Sequence, residues 1–167
     1  FKHGFWWMDI NGLRDDWYGD PVMVEMLRKQ ADFYKKWMQD ITDCQDKISG
    51  RVQNTAPYIA SGGGPGGWGC AIVEVPYQLY RHYGDKAVLE KYYPNMRRYI
   101  DYLEEHTQYG VITSDKKGEW CLGDWCTLEG VKIPEPFVNT YYLIKALGYL
   151  AEMGKAIGED VSRFEML

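Results

Sequence analysis

The sequence predicts an all-α chain built from helical hairpins. Three observations lead there. Apolar residues recur at three- and four-residue spacing over four long stretches. Those stretches are bounded by Asp, Pro or Gly at the positions where helices start and stop. They are joined alternately by short turns and by long, Trp-bearing loops, so the long loops should gather at one end and build a site there.

Asp20-Pro21 opens the first helix, because Asp caps free amide groups and Pro is pre-set for the first turn. Val22, Met26, Leu27, Phe33, Tyr34, Trp37, Met38 and Ile41 then define an amphipathic stripe as far as about Thr42. A polar stretch leads into Ser61-Gly62-Gly63-Gly64-Pro65-Gly66-Gly67-Trp68-Gly69, which is too rich in glycine to be helix. A long loop of this kind in a compact domain is usually functional or disordered. It lacks the Gly-Lys-Ser/Thr ending of a phosphate cradle and has no clear strand before it.

A second helix is expected from about Cys70 to Tyr83, with Pro76 bending it, Gly84 stopping it and Asp85 capping the next. The third carries Val88, Leu89, Tyr92, Met96, Tyr99, Ile100 and Leu103, is interrupted by Pro94, and closes near His106. Tyr109 to Thr113 reads as a short strand, followed by a turn-rich loop to Pro136. The fourth helix runs from about Phe137 to Ile157 on Tyr141, Tyr142, Leu143, Ala146, Leu147, Leu150 and Met153, with Gly158 as its end signal.

Composition narrows the function. At 167 residues and 46% hydrophobic the chain can hold a packed core, and a net charge of −5 with no basic run argues against a nucleic-acid partner. No stretch reaches the roughly 18 to 20 apolar residues of a membrane span. Cys44, Cys70, Cys121 and Cys126 lack the paired spacing of a zinc site, and only three His are available as partners. The Cys121–Cys126 spacing suits either a disulfide across a loop or buried thiols, which leaves the compartment open. The sequence starts in mid-pattern without Met, its opening Phe1 to Trp7 has neither the h-region nor the cleavage site of a signal peptide, and Gly158 to Glu165 reads as a capped helix start that stops before burying anything. The expectation is a single piece, residues 1–167, of a longer protein.

Seven Trp and fourteen Tyr are more than a small helical core needs. Such rings either fill a large core or line grooves where sugar faces stack. Three loop clusters favour the groove: Arg14-Asp15-Asp16-Trp17-Tyr18-Gly19-Asp20, Gly66-Gly67-Trp68-Gly69 and Gly123-Asp124-Trp125. Two of them set carboxylates beside aromatic walls, where apolar surroundings raise an acid's pKa and fit it to protonate a leaving oxygen. Singly, Asp20 is an adequate cap and Asp124 an adequate turn residue.

The run from Gly67 to Asp85, continuing into Tyr92-Tyr93-Pro94-Asn95-Met96 and resuming at Gly123-Asp124-Trp125 and Pro136 to Gly158, resembles the six-hairpin catalytic domain of the bacterial α-L-rhamnosidases. The resemblance implies a partial (α/α)6 barrel, of which this chain holds roughly the first half. It also implies a glycoside hydrolase cleaving terminal α-L-rhamnosides with inversion, without cofactor, whose partners are a rhamnose-containing glycoside and the remainder of the parent chain. In that mechanism one carboxylic acid protonates the glycosidic oxygen and a second carboxylate activates water from the opposite face.

The family's acid lies shortly before a Trp-x-Gly-Asp sequence, here Trp17-Tyr18-Gly19-Asp20. This chain departs from the pattern there, with Leu13 where glutamate is usual, and with Cys70 where Asp is often found. Aligning Arg14-Asp15 with the family's Arg and acid makes Asp15 the candidate acid, with Asp16 and Asp9 as rivals. Asp9, Arg14, Trp17, Asp20, Trp68, Trp120, Asp124 and Trp125 are the candidate sugar-binding residues, and the resemblance implies a general base beyond Leu167. The competing expectations are a non-catalytic carbohydrate-binding relative, a structural helical-hairpin domain, and another α/α-barrel hydrolase.

Overall fold

A computed structural model describes residues 21–58, 62–113, 116–123, 130 and 133–165. Among the described residues the regular structure is helical but for one small hairpin. The elements are α1 (Pro21–Asp43), a 3-10 turn (Gly67–Cys70), α2 (Ala71–Tyr83), α3 (Lys86–Glu104), β1 (Thr107–Gln108), β2 (Val111–Ile112), α4 (Glu135–Ile157) and α5 (Ser162–Glu165). Among the described residues no helix is long and apolar enough to cross a membrane.

Side-chain contacts fix how the helices run. α2 and α3 are joined by Gly84, whose φ of 66° is the left-handed stop that glycine allows, and by Asp85, whose carboxylate accepts the Val88 amide at 3.2 Å. Burial works against the charge on Asp85, but hydrogen bonds from Lys35, 2.7 Å away, and from the Val88 amide hold the carboxyl below its usual range. The pairs Lys35–Asp85, Gln39–Lys91 and Gln45–Asn95 climb both partners together, so α1 runs parallel to α3 and antiparallel to α2. α4 lies against α3, where the Tyr93 hydroxyl donates to the Leu150 carbonyl at 3.1 Å. The pairs Glu74–Lys145, Tyr77–Tyr149 and Arg81–Glu152 climb α2 and α4 together, so both start at the same end of the bundle, the end at which α1 and α3 finish.

α3 is the centre of the core. Val88, Leu89, Tyr92, Tyr93, Met96, Tyr99, Ile100, Tyr102 and Leu103 are all buried along it. The interruption expected at Pro94 does not occur, since the helix is continuous through that residue. A helix-interior proline costs about 3 kcal/mol, whereas each buried apolar side chain contributes roughly 1.5–3 kcal/mol, and the stripe is buried on both sides of Pro94. α2 likewise runs unbroken through Pro76.

Other boundaries and faces differ from expectation. The expected strand at Tyr109–Thr113 is one arm of a hairpin, with Thr107 opposite Ile112 and Gln108 opposite Val111. Tyr109 and Gly110, at φ 54° and 78°, make the tight turn between them. α4 starts at Glu135, with Pro136 in its first turn. Met26, Phe33 and Tyr141, assigned to packed faces, are exposed, as are Phe137 and Ile144. The terminal helix does bury something: Phe164 enters the core, and Arg163 pairs with Asp101 at 2.8 Å and with Glu104.

Candidate functional site

At the end where α2 and α4 begin, the glycine-rich segment and the loop after β2 are laid together. Gly64 approaches so closely that a β-carbon there would fall 1.9 Å from the Trp120 carbonyl oxygen. Gly66 has φ 87° and faces Asn139, whose Oδ1 would meet a β-carbon at 2.5 Å. The Trp120 amide donates to the Gly63 carbonyl at 3.3 Å. No other residue type fits both approaches, so the glycines serve contact between loops.

The 3-10 turn then projects Trp68 outward, and Trp68 meets Trp120 with ring centroids 5.6 Å apart and planes inclined at 50°. The rings are 48% and 45% exposed, so each keeps about half its surface for a ligand. Beside Trp68 opens a pocket of about 410 Å³ whose walls include Trp37, Ile41, Val52, Asn54 and Ala71. Trp37 is fixed there by its indole N–H, which donates to the Ala56 carbonyl at 3.1 Å.

The Trp120 loop is fastened on either side of the ring. Glu119 Oε2 lies 2.8 Å from His106 Nε2, with side chains 9% and 1% exposed, and it accepts the Lys116 amide at 3.0 Å. On the other side Asn139 donates from Nδ2 to the Leu122 carbonyl at 2.7 Å and to the Glu135 carbonyl at 2.9 Å. A half-exposed aromatic pair on a doubly anchored loop, beside an apolar pocket, can hold a pyranose by its C–H face.

The model for the bacterial α-L-rhamnosidase six-hairpin glycosidase domain matches residues 13–167. The chain belongs to that rhamnosidase family. It is 31% identical over 154 residues to an α-L-rhamnosidase of Streptomyces avermitilis, covering 89% of this chain and 14% of the relative. Two solved structures superpose with a TM-score of 0.71. One is the Streptomyces avermitilis α-L-rhamnosidase complexed with L-rhamnose, at 28% identity, covering 82% of this chain and 13% of that one. The other is the α-L-rhamnosidase from Dictyoglumus thermophilum, at 26% identity, covering 81% and 15%. This chain thus spans about a seventh of the length of the curated rhamnosidase it matches at 31% identity.

Of the residues expected in the rhamnosidase site, Trp68 and Trp120 are placed, and they are brought together. Asp9, Arg14, Asp15, Asp16, Trp17, Asp20, Asp124 and Trp125 lie outside the described residues, as does Cys126. Cys70, where this family often has aspartate, is buried, with its Sγ 3.5 Å from the Tyr99 hydroxyl. Burial pushes its thiol up to about 12, so it stays protonated and acts as packing. Sequence reasoning did not find His106, Glu119, Asn139 or Trp37. The one signal available was Asn139 itself, a polar residue on the buried face of an apolar helix.

Proposed function

We propose that this chain forms part of the sugar-binding and acid-bearing half of an inverting α-L-rhamnosidase. The observation that carries the reading is the Trp68–Trp120 pair, half-exposed where α2 and α4 start. The relative solved with L-rhamnose supports the choice of sugar. Rhamnose is a 6-deoxy sugar, and its methyl group suits a pocket walled by Ile41, Val52 and Ala71.

Asp15 is proposed as the general acid, with Asp16 and Asp9 as its rivals. Arg14, Trp17, Asp20, Asp124 and Trp125 complete the sugar contacts, and the general base comes from sequence after Leu167. The acid protonates the leaving oxygen while the base takes a proton from the attacking water, so no covalent intermediate or cofactor enters.

The test is hydrolysis of a chromogenic α-L-rhamnoside by the protein carrying this chain. Trp68→Ala and Trp120→Ala should each raise KM about five- to a hundredfold, the effect of losing an aromatic sugar platform. Unchanged KM in both variants would remove the pair from the sugar site. Binding of rhamnose with no hydrolysis would favour the carbohydrate-binding reading, which the Leu13 departure from the acid motif supports.

A further inference from the structure

His106 sits between two acceptors. Its Nδ1 is 2.7 Å from the Tyr102 carbonyl oxygen, which has no proton to give, so Nδ1 must donate. Its Nε2 is 2.8 Å from Glu119 Oε2, which already accepts the Lys116 amide. A neutral imidazole donating from Nδ1 offers Nε2 only as a lone pair, and a lone pair facing a carboxylate is repelled. The contact holds when the pair carries one proton more than a neutral imidazole and a free carboxylate would together carry. The side chains are 1% and 9% exposed, so water does not substitute for that proton.

We propose that His106 and Glu119 form a proton-dependent latch that positions Trp120. The idea rests on the reading of Trp120 as a sugar wall. Glu119 precedes Trp120 directly and is the anchor on that side, with Asn139 holding Leu122 on the other. The latch therefore ties the loop to the end of α3. When the shared proton leaves, the carboxylate turns away from the imidazole, and the Trp120 loop loses its tie to the end of α3 while keeping the Trp120–Gly63 and Asn139–Leu122 hydrogen bonds.

The groups around the pair leave this proton as the one that matters. Tyr102, on α3, has its ring centroid 4.5 Å from that of the imidazole, the planes inclined at 57°. Burial, and then the charge of Glu119, keep its phenol well above the usual range, so it stays protonated. Arg51 and Cys121 act on Tyr102 from their own segments. The Lys116–Glu105 ion pair, at 3.3 Å, lies at the surface with both side chains more than half exposed. Holding the contact becomes harder as pH rises.

Glu119→Gln separates the latch from a merely structural contact. A glutamine can accept from a charged Nε2 through its oxygen, or donate its amide to a neutral one at the expense of the Lys116 amide bond, so the contact to the imidazole survives without the extra proton. The protein carrying this chain is labelled with 5-fluorotryptophan, and the Trp120 resonance is assigned by its absence in Trp120→Phe. Between about pH 5 and about pH 9 the Trp120 resonance should shift at least about twice as far in the parent as in Glu119→Gln. Over the same range KM for an α-L-rhamnoside should rise at least about fivefold more in the parent than in Glu119→Gln, an effect of about one hydrogen bond.

A resonance that shifts equally in both proteins, or in neither, overturns the latch. If the resonance behaves as expected while Trp120→Phe leaves KM unchanged, the latch stands and the sugar-wall reading fails. If Trp120→Phe raises KM while the resonance ignores Glu119→Gln, the sugar wall stands and the latch fails.

Discussion

Gly64 and the Trp120 carbonyl are in such close register that a single β-carbon cannot pass between them, its nearest approach being 1.9 Å. The obstacle is backbone, which cannot rotate aside as a side-chain tip can. Gly64→Ala should therefore displace the Trp120 loop, lowering stability by about 1–3 kcal/mol, as overpacking does. It should also raise KM for a rhamnoside by a similar factor to Trp120→Ala. Thermal unfolding and initial-rate kinetics check both, and a variant indistinguishable from the parent would show that the two loops do not bear on each other.

Asp85 provides the clearest pH dependence in the fold. Its carboxyl is held below its usual range by Lys35 and the Val88 amide, against the opposing effect of burial. A depressed folded-state pKa stabilises the protein above the unfolded pKa, near 3.9, and that contribution is lost as pH falls through the folded value. Asp85→Ala should cost about 1 kcal/mol at neutral pH through loss of the cap and should flatten the stability curve below about pH 4. Denaturant titrations at neutral and acid pH measure this, and an equal cost at both would contradict it.

The helices were legible because apolar periodicity and end signals are local properties of the chain. Gly84 and Asp85 mark the α2–α3 turn at the residues where it occurs. Pro94 was misread because a local penalty was weighed without the buried stripe that outweighs it. Periodicity also says which face is apolar but not how much of it neighbouring helices cover, so Met26, Phe33 and Tyr141 were placed inside and stand outside. Trp68 and Trp120 were found as sugar candidates from residue type and loop context. The His106–Glu119 pair and the Asn139–Leu122 bond join a helix to a loop, and such pairings have no signature in spacing.

Asp15 carries the most exacting expectation. α1 has 23 residues, and Trp68 stands beside Ile41 near its far end, so Pro21 is roughly 30 Å away along the axis. The chain from residue 15 to residue 20 spans at most about 20 Å. For Asp15 to meet a sugar on Trp68 and Trp120, α1, which is continuous from Pro21 to Asp43, must therefore sit differently in the sugar-bound protein. Spin labels at residues 15 and 120 should then lie within about 20 Å of each other in the sugar-bound protein, and a separation above about 30 Å would remove Asp15 as the acid. In the same protein Asp15→Asn should cut turnover of an alkyl rhamnoside about 10²- to 10⁴-fold and spare an activated aryl rhamnoside, which leaves without a proton. Equal losses on both would assign Asp15 to binding or structure.

The protein carrying this chain is proposed to hydrolyse α-L-rhamnosides through an acid and a base acting from opposite faces of the sugar. Proton NMR of an α-L-rhamnoside digest, recorded before the released sugar equilibrates, reads this directly. The first product should be β-L-rhamnose, since water attacks opposite the departing group. Release of α-L-rhamnose as the first anomer, or no release of rhamnose at all, would contradict it.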